Sequence, residues 1–246
     1  MPTALITGAA RGLGLGLLGR YLDAGWDVIA AVRDTGADTL AALHARHTSR
    51  LVVEHLDLAD FESIGACARR VGGRPIDALI GNAAATHVSD RGFGQTDYDD
   101  WAAVMRVNTF AQLRLAEAFV EHVARSQRRV MYFVSSRVGA KPIPGMMIAY
   151  RSSKSALNQV VYQLALQLHA RGICVACGHP GFVQTDATHG RGTFTAEESA
   201  GRLFSLIDRL QLADSGKFFE PDGSELPIVT RQTNPRAVGS TPIVEA

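Results

Sequence analysis

Seven short runs of apolar residues recur along this chain, and the apolar residues within them are mostly continuous rather than alternating with polar ones. Strands that are covered on both faces have this pattern, and such strands form parallel sheets. The runs lie at residues 4–7, 27–32, 51–58, 77–83, 129–136, 173–179 and 217–220. Between them we predict helices at residues 12–24, 37–46, 60–71, 97–124, 150–171 and 196–211. The alternation predicts an α/β fold, a single-domain doubly wound Rossmann fold with a parallel sheet of about seven strands flanked by helices on both faces.

The length of the chain is compatible with one large core. The chain has 246 residues, of which 46% are hydrophobic, and α/β chains of this size often form one domain. We place that domain at residues 1–228. Residues 229–246 are predicted to be a C-terminal tail, because the end of the chain has prolines at 227, 235 and 242 and no clear periodicity.

Charge and hydropathy limit the classes of partner. The formal net charge is +1, so bulk electrostatics indicate neither a nucleic acid nor a membrane surface. No charged leader with a long apolar run precedes the first predicted strand, and no apolar run reaches about 18 residues. We therefore expect a cytoplasmic protein without a membrane span.

The pair Cys174 and Cys177 has the CxxC spacing of redox and metal centres. The pair lies in a predicted buried strand, in which residues three apart point to opposite faces. We therefore interpret both cysteines as core residues. The odd total of three cysteines favours a reducing compartment over a disulfide scaffold. The eight histidines form no cluster with cysteine or aspartate at ligand spacing, so we expect no metal.

The stretch TGAARGLG follows the first strand directly and leads into a helix. Gly8, Gly12 and Gly14 are spaced GxxxGxG, with Arg11 and Leu13 between them. Glycines here permit a tight turn and let the backbone approach a pyrophosphate at the positive end of the helix. The alternative, that the glycines serve only close packing of helix on strand, is less compatible with this position in a βαβ unit. The stretch predicts a dinucleotide site.

The end of the second strand indicates which dinucleotide binds. An acidic residue at this strand end would bind the ribose 2′-hydroxyl, whereas a basic residue favours a 2′-phosphate. The strand ends with Val32, Arg33 and only then Asp34. We predict NADP(H) rather than NAD(H), with Arg33 and Arg11 close to the phosphate. The alternative is a solvated Arg33 with Asp34 on the ribose.

A helix beginning near Ala149 places Tyr150 and Lys154 on one face, one turn apart. A free tyrosine has a pKa of about 10, too high for efficient proton exchange at neutral pH. A nearby lysine charge would lower that pKa. A serine hydroxyl at the end of the preceding strand, from Ser136 or Ser135, would hold and polarise a carbonyl oxygen. Taken alone the Tyr-x-x-x-Lys spacing is common on helix surfaces, but its combination with the glycine loop predicts a catalytic site.

These motifs occur in the order typical of the short-chain dehydrogenase/reductase family, which residues 3–228 resemble. The resemblance rests on TGAARGLG, GNAA at 81–84, Asn108, the serines at 135–136, YRSSK at 150–154 and HPGFVQTD at 179–186. The stretches AYRSSKSALN, HPGFVQTD and ADSGKFFEPDGSELP are similar to the carbonyl reductase-like Sniffer and C-factor branch.

The resemblance implies roles for further residues. It implies that Asn108 holds a water that relays protons through Lys154, and that Lys154 also binds the cofactor ribose. It implies further cofactor contacts at Asp57, Leu58, Asn82, Ala83, Ala84, Pro180, Gly181, Val183 and Thr185. A homodimer or homotetramer is also implied, because the fourth helix, with Trp101, and the tyrosine helix often form oligomer contacts in this family.

Two departures from the family pattern are visible. The usual Asn-Asn-Ala-Gly motif reads Gly81-Asn82-Ala83-Ala84 here. The spacing from Ser136 to Tyr150 is one residue longer than is common, which leaves the choice between Ser135 and Ser136 open.

The pattern predicts an NADP(H)-dependent oxidoreductase acting on a small-molecule carbonyl or alcohol. Two alternatives stay open: a nucleotide-binding signalling protein of the C-factor type, and a biosynthetic-pathway dehydrogenase with one specialised substrate. Substrate shape is expected to depend on residues 86–96, 140–149 and 184–195, the last of these being read as a mobile loop. Candidate substrate contacts, each weighed against a structural role, are His179, His189, Met146, Met147, Ile148, Phe93, Phe182 and Phe194.

Overall fold

The computed structural model describes residues 1–86, 93–141 and 147–227. A seven-stranded sheet runs through the molecule in the order β3-β2-β1-β4-β5-β6-β7, and every neighbouring pair is parallel. The strands are Thr3–Thr7, Asp27–Val32, Leu51–His55, Ala78–Gly81, Val130–Val134, Cys174–Gly178 and Phe218–Phe219. The predicted fold class is confirmed, and the strands are shorter than the apolar runs because several runs continue into the loops at the sheet edge.

Seven α-helices cover the two faces of the sheet in the described part of the chain. They are α1 Gly12–Asp23, α2 Asp38–Arg46, α3 Phe61–Val71, α4 Tyr98–Met105, α5 Ala111–Ala124, α6 Ile148–Leu168 and α7 Ala196–Arg209. No helix among the described residues is long and apolar enough to cross a membrane.

Each strand contributes to two cores, which explains why the apolar runs are continuous. In β1, Ala4 and Ile6 pack into the core under α1, α2 and α7, whereas Leu5 packs into the core under α3, α5 and α6. In β6, Cys174 belongs to the first core and Cys177 to the second. The two cysteines therefore point to opposite faces, as the strand interpretation requires.

The helix expected at residues 97–124 is not uniform. It consists of α4, a π-helical turn at Arg106–Phe110 and α5. A π turn widens a helix by one residue, and such turns are often found at functional sites. The expectation of one regular helix was wrong at this turn, which contains Asn108.

The sheet order places the cleft at the carboxyl end of the strands. The chain crosses to opposite sides of β1 when it forms β2 and β4, and ligands of such sheets bind in the crevice at this switch point. The domain boundary at residue 228, the tail 229–246, Met146 and parts of the loops 86–96 and 140–149 lie outside the described residues.

Candidate active site

The glycine loop turns sharply between β1 and α1. Gly8 and Gly12 have φ values of +68° and +52°, a region that side-chain-bearing residues rarely adopt. A Cβ on Gly14 would collide with the carbonyl oxygen of Gly8, and a Cβ on Gly8 would lie 2.9 Å from Cβ of Ala83. The loop is thus closely packed against residues 82–83 after β4, on the opposite wall of the cleft.

The N-terminus of α1 has no side-chain cap. Its N-cap residue is Arg11, and its first turn has no acidic residue. Asp60 caps α3, Asp97 caps α4 and Thr195 caps α7, whereas α2 and α6 also begin without a side-chain cap. The first amides of a helix carry partial positive charge and need acceptors. An uncapped helix start behind a glycine cradle fits the pyrophosphate of a dinucleotide.

Thr7 joins the two walls of the cleft. Its hydroxyl oxygen accepts hydrogen bonds from the amides of Asn82, at 3.0 Å, and Ala83, at 3.1 Å. The Asn82 side-chain amide donates to the Thr7 carbonyl at 2.9 Å. Sequence reasoning did not single out Thr7, although its position at the end of β1 could have indicated it. Ala84 follows on the same segment and is exposed.

The residues expected near the adenosine lie beyond β2 and β3. Arg33 is exposed just after β2. Asp34 accepts a hydrogen bond from the Gly36 amide at 2.9 Å, so its carboxylate stabilises a turn in this structure. The Asp57 amide donates to the Ser63 hydroxyl at 3.0 Å, and Leu58 is buried.

Arg11 is paired with an acidic residue in this structure, and its contact with a 2′-phosphate stays a prediction. Its guanidinium forms an ion pair with Asp186 at 3.6 Å, and both side chains are highly exposed. Nearby, a Cβ on Gly12 would lie 3.2 Å from Cγ2 of Thr185. The glycine loop therefore contacts the segment after β6 across the mouth of the cleft.

The segment after β6 is held by its own hydrogen bonds. The Pro180 carbonyl accepts from the Ser199 hydroxyl at 2.7 Å. Val183 forms a β-bridge with Phe194, and Gly181 has a φ of +91° with no room for a Cβ beside the Phe194 ring. Both ends of the loop 184–195 are therefore held in place by hydrogen bonds and packing.

Ser135 and Ser136 have different partners at the end of β5. The Ser135 hydroxyl donates to Asn158 Oδ1 at 2.6 Å and is buried. The Ser136 hydroxyl hydrogen-bonds with Tyr150, which works to lower the pKa of that tyrosine. Of the two serines left open by the sequence, Ser136 is the one that faces Tyr150.

Tyr150 and Lys154 lie one turn apart on α6, but the lysine does not have the expected effect. Lys154 Nζ lies 5.8 Å from the centroid of the Tyr150 ring and donates to the Val134 carbonyl at 2.8 Å. Burial raises the pKa of Tyr150 above 10, outweighing the hydrogen bond from Ser136. The expected lowering of the tyrosine pKa by lysine was wrong for this structure.

Lys154 itself is strongly affected by its surroundings. Only 3% of its surface is exposed, and burial lowers its pKa to about 8. Desolvation penalises the ammonium form, and no carboxylate is among the causes of the shift. At neutral pH the side chain is therefore a buried, mostly protonated cation in the floor of the cleft.

Asn108 lies in the π turn, fully buried. Its Oδ1 accepts from the Ala85 amide at 2.7 Å, and its Nδ2 donates to the Ala85 carbonyl at 2.9 Å and to Ser153 Oγ at 3.0 Å. These contacts join residues 82–85, the segment after β4 that lines the predicted cofactor cleft and is called here the cofactor-cleft segment, to α6. The proton relay through Asn108 stays a prediction, since its side chain is directed at protein groups.

The remaining candidate substrate contacts differ in how far they are exposed. His179 is partly buried, its Nδ1 has no partner among the described residues, and burial lowers its pKa to about 4. His189 is exposed. Met147 and Ile148 are exposed at the start of α6, as is Phe182 beyond β6. Phe93 is also exposed. In the described part of the chain, no group of three or more potential ligand residues could hold a metal ion.

A family model described as short chain dehydrogenase matches residues 2–195. The chain belongs to this family. C-signal from Myxococcus xanthus is 34% identical over 164 residues, an alignment that covers 66% of this chain and 98% of C-signal.

Two solved structures are similar over most of the chain. NADPH-bound carbonyl reductase from chicken fatty liver has a TM-score of 0.84 and 28% identity, covering 92% of this chain and 98% of that one. Carbonyl reductase Sniffer of D. melanogaster has a TM-score of 0.85 and 26% identity, covering 92% and 99%. The resemblance to the Sniffer and C-factor branch is thereby confirmed.

Proposed function

We propose that this protein is an NADP(H)-dependent oxidoreductase that transfers a hydride between the nicotinamide and a carbonyl or secondary alcohol. We assign catalysis to Ser136, Tyr150 and Lys154. The observation that carries the proposal is the placement of Ser136 at the end of β5 and of Tyr150 and Lys154 one turn apart on α6, with Lys154 Nζ 5.8 Å from the centroid of the Tyr150 ring. This group lies at the carboxyl end of the sheet, beside the uncapped glycine loop.

The protonation states suit reduction. Because burial raises the pKa of Tyr150, its hydroxyl keeps its proton at neutral pH and can give it to a substrate oxygen. The Ser136 hydroxyl holds that oxygen with a second hydrogen bond. The bound dinucleotide supplies the hydride to the carbonyl carbon. Lys154, buried beside Tyr150 on α6, takes part by binding the ribose of the dinucleotide, and oxidation of an alcohol follows the same path in reverse.

The preference for NADP(H) is a separate part of the proposal. It is supported by the exposed Arg33 at the end of β2 and by the NADPH-bound state of the similar carbonyl reductase. Arg11, paired with Asp186 in this structure, is free to exchange that partner for a phosphate, because exposed ion pairs contribute little to stability. We expect Arg33→Ala to weaken NADPH binding and leave NADH binding unchanged.

A second candidate function is favoured by one observation. The similarity to C-signal supports a nucleotide-binding role in signalling, in which the fold senses a dinucleotide without turnover. The arrangement of Ser136 against Tyr150 favours the enzyme, since a binding protein has no need of a paired hydroxyl and phenol. A specialised pathway dehydrogenase is the remaining alternative, and it differs from a general reductase only in substrate. A cytoplasmic location stays a prediction.

Turnover separates these alternatives. Purified protein is tested for NADPH and NADH oxidation with aldehydes, ketones, diketones and quinones, and for NADPH binding by fluorescence. We expect turnover that Tyr150→Phe abolishes while NADPH binding persists. Binding without turnover on any carbonyl would favour the signalling or specialised-substrate alternatives. Absence of binding to either dinucleotide would refute the proposed function.

A further inference from the structure

Gln112 occupies an unusual place at the start of α5. Its side chain is 2% exposed, directly after the π turn. Its Nε2 donates to the Ala83 carbonyl at 3.1 Å and to the Val107 carbonyl at 3.2 Å. One side-chain amide thus joins the cofactor-cleft segment to the π turn that contains Asn108.

The orientation of this amide is determined by its neighbours. Two carbonyl oxygens face Nε2, and a reversed amide would direct its own oxygen at both of them. Gln112 Oε1 is consequently buried, and it has no hydrogen-bond partner among the described residues. A buried acceptor without a partner lowers the stability of the folded protein. The two hydrogen bonds that Nε2 donates must therefore contribute more stability than the unpartnered oxygen removes.

Gly81 leaves the room that Gln112 fills. A Cβ at Gly81 would lie 2.5 Å from Gln112 Oε1 and 2.5 Å from Cδ1 of the buried Phe133. The two positions are therefore coupled, because no larger residue at 81 is compatible with the present place of Gln112.

Gln112 and Asn108 act on neighbouring residues. Gln112 holds the carbonyl of Ala83, and Asn108 holds the amide and carbonyl of Ala85. Thr7 holds the amide of Ala83 from the other side. The backbone of residues 83–85 is thus fixed from both walls of the cleft.

We propose that Gln112 is a positioning residue that holds residues 83–85 in the conformation required for dinucleotide binding. The proposal rests on the proposed function for its consequence, the binding of NADPH, but the positioning itself is a property of the protein without ligand. Gln112 touches neither substrate nor reacting atoms in this scheme and acts only through the backbone of the cleft.

Gln112→Met tests the proposal, because methionine keeps the length and most of the volume of the side chain and donates no hydrogen bond. Gln112→Asn is a second variant, whose amide is too short to reach both carbonyls. Phe119→Leu is the matched control, since Phe119 is fully buried on the same helix but lies in the core. We expect the loss of the phenyl ring to destabilise α5 while leaving the residues of the cleft in place.

Hydrogen–deuterium exchange of the ligand-free proteins is the first measurement. We expect the Ala85 amide to exchange about tenfold faster in the Gln112 variants than in the wild type, because its local opening becomes easier. In Phe119→Leu, the exchange of Ala85 relative to the α5 amides should stay within about twofold of the wild type. Unchanged exchange at residues 83–85 in both Gln112 variants would overturn the proposal.

NADPH binding and kinetics are the second measurement. We expect the Kd for NADPH to rise about tenfold in Gln112→Met, with the KM for the carbonyl substrate unchanged. Phe119→Leu should lower Tm and leave this Kd unchanged. If the Gln112 variants lower Tm and leave Kd unchanged, the residue is merely structural. If wild-type protein binds no NADPH, the proposed function fails, while the exchange measurement still decides whether Gln112 positions the segment.

Discussion

At the scale of single residues, two adjacent serines have separate tasks. Ser136 faces Tyr150, whereas Ser135 is hydrogen-bonded to Asn158. We expect Ser136→Ala to lower kcat by about 100-fold to 1,000-fold, as for other groups that stabilise a developing oxyanion. Ser135→Ala should instead lower the free energy of unfolding by about 1 kcal/mol, because the buried Asn158 Oδ1 keeps only the weak thiol donor of Cys177 at 3.7 Å. Steady-state kinetics and urea unfolding of both variants check this, and equal kinetic effects would contradict it.

The buried Lys154 makes a pH-dependent contribution to stability. Its pKa in the folded protein is about 8, against 10.5 for the free side chain. Between these values the unfolded state binds more protons than the folded state, so this contribution to stability rises with pH. Below about pH 8 both states are protonated and the burial cost is fully present.

Lys154→Met isolates this contribution. The variant lacks the titrating group, so its stability advantage over the wild type should shrink by about 2 kcal/mol between pH 7.5 and pH 9.5. Urea unfolding of both proteins at the two pH values measures the difference. A constant difference would show that Lys154 keeps its ordinary pKa in the folded protein.

At the scale of elements, α1 has a functional end and a structural end. Gly14 has no room for a Cβ beside the Gly8 carbonyl, whereas a Cβ on Gly19 would meet nothing within 4 Å. We expect Gly14→Ala to distort the loop and abolish dinucleotide binding. Gly19→Ala should keep binding and raise the free energy of unfolding by about 0.5–1 kcal/mol, the usual gain in a helix interior. Calorimetric titration with NADPH and thermal unfolding of the two variants test this contrast.

The elements also show where sequence patterns stop being informative. Continuous apolar runs predicted all seven strands, because a strand that is buried on both faces has apolar residues at nearly every position. The π turn around Asn108 was missed, because no glycine or proline at residues 106–110 marks a break in the helix.

The partners of site residues were harder to predict than the residues themselves. The Tyr150–Lys154 spacing predicted the right helix face. It could not predict that Lys154 donates to the Val134 carbonyl, which depends on how β5 lies beneath α6. The pairing of Arg11 with Asp186 was missed for the same reason, because it joins loops that meet only in the folded molecule.

At the scale of the whole molecule, large apolar side chains are exposed on the helices expected to form oligomer contacts. Phe110 in the π turn is 52% exposed and Leu166 on α6 is 58% exposed. Exposed apolar groups of this size commonly belong to protein interfaces when they form a patch. We therefore expect the purified protein to be a homodimer or homotetramer.

Sedimentation analysis tests this expectation. Phe110→Glu and Leu166→Glu should each shift the protein toward the monomer, because an interface tolerates a buried, unpaired charge poorly. Ser205→Glu, at an exposed position on α7, is the control and should leave the mass unchanged. A wild-type protein that sediments as a monomer at micromolar concentration would contradict the prediction.

The contact between Gly12 and Thr185 has a consequence for synthesis of the chain. The glycine loop leaves the ribosome before the opposite walls of its cleft, which belong to residues 82–85 and to the segment after β6. Pairing of β1 with β4 already joins Ala4 to Ala78, and such distant contacts form slowly. A nascent chain therefore has no complete dinucleotide cleft until the segment after β6 has been translated, so bound cofactor can stabilise the finished domain but cannot guide the folding of the strands made before that segment.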